Sequence, residues 1–250
     1  MSSKGYAIIT GASRGIGKGI FLELAKEGYD LVGTYTSPKS DAKMQALIDQ
    51  VEKEYGVKAM SVRSDVGTRE GCQAIVDAAV KNFGTNVTVL VNNAGMGGGA
   101  LYKDETLDNI ARTIDVDLMA ALNLSYMVLP YMLENKKGDI INMSSMGPLI
   151  GLAGQSIYCT AKYGLIGFSK SLAKEVAKDN IKVNCIAPGI IDTEMVAEAD
   201  PQQIAAVEVA IPMGRRGSTE EIALCAKYIL ESDYLTGQTI SPNGGFIAVP

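Results

Sequence analysis

The sequence predicts a single α/β domain: an open, doubly wound parallel sheet of about seven strands with helices on both faces. Three observations point there. Short apolar runs alternate with longer helix-periodic segments along the whole chain. The runs are continuous in Val, Ile and Leu, as strands buried on both faces are. Finally, the glycines and unusual polar residues follow run after run, which in a parallel sheet collects them at one end.

Gly5 to Thr10 is the first such run, and helical periodicity starts near Arg14 with Ile16, Ile20, Leu22 and Leu24. The turn between them, Thr10 to Gly17, holds three glycines where backbone can approach a ligand and a helix start offers N–H groups to phosphate. Its spacing fits neither G-x-G-x-x-G nor a Walker A loop. Tyr29 to Tyr35 reads as a second strand, Lys39 to Tyr55 as a helix, Val57 to Val62 as a third strand and Thr68 to Phe83 as a helix. Val87 to Val91 is a fourth strand, followed by Asn92-Asn93-Ala94-Gly95 and a glycine-rich loop through Gly99. Thr106 to Asn135 then reads as one long helix, Asp139 to Met143 as a fifth strand and Gln155 to Lys178 as a helix. Ile181 to Ala187 and Gln238 to Ser241 complete the sheet. No composition shift divides the chain, so residues 1–250 are expected to form one domain, irregular only around 192–217.

Charge and composition remove whole classes of function. A net charge of -5, with no basic cluster beyond Lys136-Lys137, argues against a nucleic-acid footprint. No apolar run approaches the roughly 18 residues of a membrane span, and no signal peptide precedes the first strand, so a cytoplasmic protein is expected. Cys72, Cys159, Cys185 and Cys225 are scattered, which suits reduced, packed thiols and no metal. There is no histidine, so triads, Cys-His pairs and His-based metal sites are excluded. Acid–base chemistry falls to Tyr, Lys, Asp or Glu. Tyr158 and Lys162 stand four apart in a predicted helix and share a face, with Ser145 thirteen residues before Tyr158. A free phenol titrates near 10, and a fixed ammonium beside it stabilises the phenolate, which makes a usable acid.

Thr10-Gly-x-x-x-Gly-x-Gly17, Asn92-Asn-Ala-Gly95, Ser145 with Tyr158-x-x-x-Lys162, and Pro188-Gly189 with Thr193 together resemble the short-chain dehydrogenase/reductase family over essentially the whole chain. Within it, the stretches 154–158, 187–195 and 236–240 look most like 3-oxoacyl-acyl-carrier-protein reductases. The resemblance implies a Rossmann fold and hydride transfer between a nicotinamide and a carbonyl carbon. Tyr158 would donate the proton, Lys162 would stabilise the phenolate and bind the nicotinamide ribose, and Ser145 would hold the carbonyl oxygen. Gly11, Ser13, Arg14, Gly15, Ile16 and Gly17 would cradle the dinucleotide. Asp65 and Val66 would meet its adenine, and Asn92, Ala94 and Gly95 its adenosine ribose. Pro188, Gly189, Ile191 and Thr193 would lie at the nicotinamide. The second strand ends without an acid for ribose hydroxyls, while Arg14, Ser13 and Thr36 offer donors to a 2′-phosphate, so NADP(H) is expected.

One position departs from the family, which usually has Asn-Leu in the long helix. Counted from Pro130, that register lands on Asp117-Leu118. An ionised Asp117 would set a negative charge near Lys162 and offset part of its help to Tyr158; it is expected to hold a water that links Lys162 to solvent. The family also suggests a lid over the substrate from Met195, Val196, Ile204, Val207, Ile211 and Met213. An apolar pocket would form from Met96, Met146, Leu149 and Ile150, and an acidic carrier protein would dock at Lys136, Lys137 and Lys178 near the entrance. A homotetramer would pack through the helices starting at Thr106 and Gln155. A reductase of another apolar ketone, such as a hydroxysteroid, and a non-catalytic NADP-sensing regulator remain open alternatives.

Overall fold

The first apolar run forms β1 (Tyr6–Ile9), whose four residues are all buried because it lies inside the sheet rather than at its edge. A computed structural model describes residues 4–197 and 208–248, with Met195 given by its backbone alone. Six further parallel strands join β1: β2 (Asp30–Tyr35), β3 (Ala59–Arg63), β4 (Val87–Asn92), β5 (Gly138–Met143), β6 (Ile181–Ile186) and β7 (Thr239–Ile240). Their order is β3-β2-β1-β4-β5-β6-β7. Ile8 pairs with Val32 on one side and Leu90 on the other, so the chain winds outward from β1 to β3 and then returns to β4. A crevice opens where the winding reverses, at the carboxyl ends of β1 and β4.

Helices cover both faces. On one lie α1 (Gly15–Lys26) and α2 (Asp41–Tyr55), with Phe21, Leu24, Met44 and Leu47 in the core. On the other, α3 (Arg69–Phe83) contributes Ile75 and Val76. Each such side chain contributes about 1.5–3 kcal/mol by leaving water. The predicted helix from Thr106 to Asn135 is three pieces: α4 (Leu107–Ile114), a π-helical turn (Asp115–Met119) and α5 (Ala120–Asn135), which runs through Pro130. By length and composition the run Leu107–Asn135 could cross a membrane, with a mean hydropathy of 1.4 over its most apolar 18 residues, contrary to the sequence expectation. Its Leu124, Val128 and Met132 are fully buried against the sheet, which accounts for that apolarity.

After β5 come a single turn, α6 (Gly147–Ile150), and the long α7 (Ser156–Val176). Beyond β6 lie α8 (Glu194–Ala197) and α9 (Thr219–Glu231), the second of which was not among the predicted elements. Its signals were local: a capping box between Ser218 and Glu221, and Ile222, Ala226 and Ile229 at helical spacing on the buried face. Of the expected lid, Ile204 and Val207 lie outside the described residues; Ile211 is buried and Met213 exposed. Cys72, Cys185 and Cys225 are free thiols that burial pushes up to about 11, and Cys159 is free as well. At the amino end of the sheet, Lys182 donates to the Ile229, Leu230 and Ser232 carbonyls and pairs with Asp139 at 3.2 Å. Burial nevertheless pushes the Asp139 carboxyl up to about 6.

Candidate active site

The glycine turn follows from the backbone it must adopt. Gly11 and Gly15 have φ of +66° and +55°, the left-handed region that side chains disfavour. A Cβ on Gly17 would lie 2.2 Å from the Gly11 carbonyl oxygen, so α1 can pack against its own turn only with glycine there. Arg14 caps α1 in extended conformation without a side-chain capping bond, and the first turn carries no acid. Its N–H groups therefore face outward with a favourable dipole for an anion. The turn is clasped to the next strand by Thr10: its hydroxyl accepts from the Asn93 and Ala94 N–H groups, each at 2.9 Å, and donates to the Val91 carbonyl.

A cavity of about 710 Å³ opens above this clasp. Ser13, Arg14, Gly15 and Ile16 line it together with Thr36, Asp65, Val66, Ala94, Gly95, Tyr158, Lys162, Pro188 and Thr193, so one crevice collects most of the residues expected to bind a dinucleotide. Lys39, Lys43 and Arg112 also line it, and sequence reasoning missed them. The signal for the lysines was positional, since they flank the start of the helix that follows β2. Arg112 donates to Asp65 Oδ1 at 2.8 Å, as does the Gly67 N–H at 2.9 Å. The guanidinium holds the Asp65 carboxyl below the usual range, against an opposing effect of burial.

At the other end stand Tyr158 and Lys162, on one face of α7. Lys162 Nζ lies 5.7 Å from the centroid of the Tyr158 ring. Lys162 is almost fully buried, and the Ser144 hydroxyl donates to its carbonyl at 2.8 Å, which fastens α7 to the end of β5. Behind the wall, Asp117 Oδ1 meets Lys162 Nζ at 3.2 Å and accepts from the Met96 N–H at 3.0 Å. The π-helical turn carries Asp117, so the widened backbone delivers the carboxylate to the lysine. Gly95 and Lys162 both line the cavity and Asp117 lies behind them: a Cβ on Gly95 would sit 2.6 Å from Asp117 Oδ1 and 3.1 Å from Lys162 Nζ.

Several of the expected residues lie outside the cavity lining. Asn92 turns away from the cavity and donates to Asn142 Oδ1 at 2.8 Å and to Ser125 Oγ at 3.3 Å; the pleat of β4 sends its last side chain inward and leaves Asn93 at the crevice. Gly17, Gly189 and Ile191 do not line the cavity either. Gly17 and Gly189 serve close packing, the latter beneath Asn243, and Ile191 is core. Ser145 is half-buried beside the cavity rather than in its lining, and its Oγ accepts from the Gly147 N–H at 3.1 Å. Of the expected apolar pocket only Met96 lines the cavity; Met146 is buried and Leu149 packs against the core of Leu165 and Cys185. Lys136 and Lys137 precede β5 and Lys178 precedes β6, so all three lie at the amino end of the parallel sheet, opposite the crevice they were expected to flank.

Among the described residues no cluster of three or more His, Cys, Asp or Glu is disposed to hold a metal ion. The family model described as short chain dehydrogenase matches residues 5–204. The acetoacetyl-CoA reductase of Acinetobacter sp. (strain RA3849) is 36% identical over 247 residues, covering 98% of each chain. The 3-oxoacyl-[acyl-carrier-protein] reductase FabG of Escherichia coli (strain K12) is 37% identical over 248 residues, covering 97% of each. Among solved structures, a blue fluorescent protein from a metagenomic library in complex with NADPH superposes with a TM-score of 0.92 at 30% identity, over 98% of this chain and 99% of that one. Motifs, topology and relatives agree: the chain belongs to the short-chain dehydrogenase family.

Proposed function

We propose that this protein is an NADPH-dependent reductase that converts a ketone, most suitably a 3-oxoacyl thioester, to a secondary alcohol. The observation that carries the reading is Lys162 held 5.7 Å from the Tyr158 ring in the wall of a cavity whose far end is a glycine turn and helix start. The relatives support it: two are reductases of acetoacetyl-CoA and of 3-oxoacyl-carrier-protein substrates, and a structural neighbour holds NADPH.

The cavity suits such a dinucleotide. Bare glycines and free helix N–H groups fit a pyrophosphate. Arg14, Lys39 and Lys43 gather beyond the end of β2, where a 2′-phosphate needs cations. The bound dinucleotide would supply the hydride to the carbonyl carbon. Tyr158 gives its phenolic proton to the oxygen that becomes the alcohol, and the Lys162 ammonium stabilises the phenolate left behind. Ser145 orients that oxygen by donating a hydrogen bond; its Oγ accepts from the Gly147 N–H, which leaves the hydroxyl proton available to substrate. Lys162 keeps its place because α7 is tied to β5 through Ser144.

The same reading takes the protein to be cytoplasmic, with substrate delivered free or on an acyl carrier protein. It also takes it to be a homotetramer, for which Leu107, Tyr126 and Tyr163 offer exposed apolar surface on α4, α5 and α7. The test is loss of NADPH absorbance with an acetoacetyl thioester, repeated with a panel of hydroxysteroids and simple ketones. Tyr158→Phe should lower kcat by at least about a hundredfold, the usual range for general acid catalysis. Turnover by Tyr158→Phe at the parent rate defeats the assignment.

A further inference from the structure

We infer that Asp117 is a buried counter-ion to Lys162 whose negative charge tilts the cavity toward the oxidised, positively charged form of the dinucleotide. The inference rests on the function proposed above and concerns how that site weighs the two forms of its cofactor. The family resemblance leads one to expect a neutral amide at this position; this chain has a carboxylate whose side chain is fully buried, against a lysine side chain 5% exposed.

The geometry is that of an ion pair with one carboxylate oxygen left over. Asp117 Oδ1 receives both donors within reach, the Lys162 ammonium at 3.2 Å and the Met96 N–H at 3.0 Å. Among the described residues no group donates to Oδ2, so half of the carboxylate is left without a hydrogen bond in a place closed to solvent. Of the charges on the same helical run, Arg112 pairs with Asp65 and Asp115 is exposed; Glu194 lines the cavity from α8. Lys162 reaches the cavity itself, while Asp117 lies behind it and behind the backbone of Gly95, which leaves no room for even a methyl group. A fixed negative charge behind so thin a wall attracts a cationic ring more than a neutral one, and low local polarity strengthens the difference. The pair with Lys162 is net neutral, so the lysine alone does not set the sign of the field felt in the cavity.

The experiment is fluorescence or calorimetric titration of the whole protein with NADP+ and, separately, with NADPH. The parent and Asp117→Asn are compared, since asparagine keeps the shape and removes the charge. The ratio of the two dissociation constants should shift against NADP+ by about three- to tenfold in the variant. A variant that binds both forms in the parent's ratio overturns the counter-ion role, since the carboxyl would then be neutral or merely structural. A parent that binds neither form overturns the proposed function instead, so the two failures are distinguishable. Should Asp117→Asn not fold, thermal melts of Lys162→Met and of the double variant decide. A double variant that melts above Lys162→Met supports paired charges; one that melts at or below Lys162→Met overturns them.

Discussion

Substituting Gly95 by alanine is the most direct perturbation of the packing between the cavity lining and Asp117. The glycine is not in the left-handed region, so alanine meets no backbone penalty and the effect is steric alone. The new methyl would lie 2.6 Å from Asp117 Oδ1 and 3.1 Å from Lys162 Nζ, whereas ordinary contact begins at 3.4 Å. The carboxylate must retreat by about 0.8 Å, the difference between 3.4 and 2.6 Å. It cannot do so without lengthening its bonds to Met96 and Lys162, now 3.0 and 3.2 Å. Overpacking of this kind costs about 1–3 kcal/mol. For a domain of this size each kcal/mol lowers Tm by roughly 2–4 °C. Displacing Lys162 also displaces the charge behind Tyr158, and misplacement on the order of 1 Å lowers turnover by up to about a hundredfold. The assay pairs thermal melts with NADPH-consumption kinetics. Gly167→Ala is the control: its Cβ meets nothing within 4 Å on the exposed face of α7, so it should stabilise by about 0.5–1 kcal/mol. Gly95→Ala with the parent's Tm and kcat would refute the reasoning.

Two further outcomes follow from the charges. Arg14→Ala should weaken NADPH by about tenfold or more, the value of a charge-assisted hydrogen bond, and leave NADH nearly unchanged; equal losses in KM for both would count against a 2′-phosphate site. Asp139→Asn should stabilise the protein at pH 8. The carboxyl is raised from 3.8 to about 6 on folding, so between those values the folded state holds a proton that the unfolded state lacks. Stability therefore falls as pH rises through that window and stays lower above it. Asparagine removes the penalty while Lys182 keeps its three carbonyl acceptors. Urea melts should show a gain of about 1–2 kcal/mol at pH 8 that vanishes below about pH 4, and a loss at pH 8 would reject the account.

The sheet was legible because its strands are apolar on both faces and so stand out as runs; β4, for example, was expected over Val87 to Val91 and ends at Asn92. The π-helical turn was not, since periodicity over Thr106 to Asn135 continues through it and only the demand of Lys162 for its partner reveals it. Asp117 itself was found by counting from Pro130, a register that survives because the turn lies on the amino side of the proline. Lys39 and Lys43, at one helix start, and Arg112, on α4, were missed because they meet only across the crevice. Which of Asn92 and Asn93 faces the ligand depends on strand pleat at one residue, finer than any strand boundary read from composition. The three lysines assigned to the entrance show the opposite error, because local charge was read without asking which end of a strand it precedes.

The pairing of Ile8 with both Val32 and Leu90 bears on how the molecule is made. During synthesis β1 meets β2 early, but the seam that forms the crevice waits until β4 has left the ribosome. Until then Thr10 lacks the Asn93 and Ala94 amides that clasp the glycine turn. A nascent chain ending at β3 thus carries the phosphate-binding loop without its second wall, and dinucleotide added during translation should protect only chains that extend past Gly95 from proteolysis.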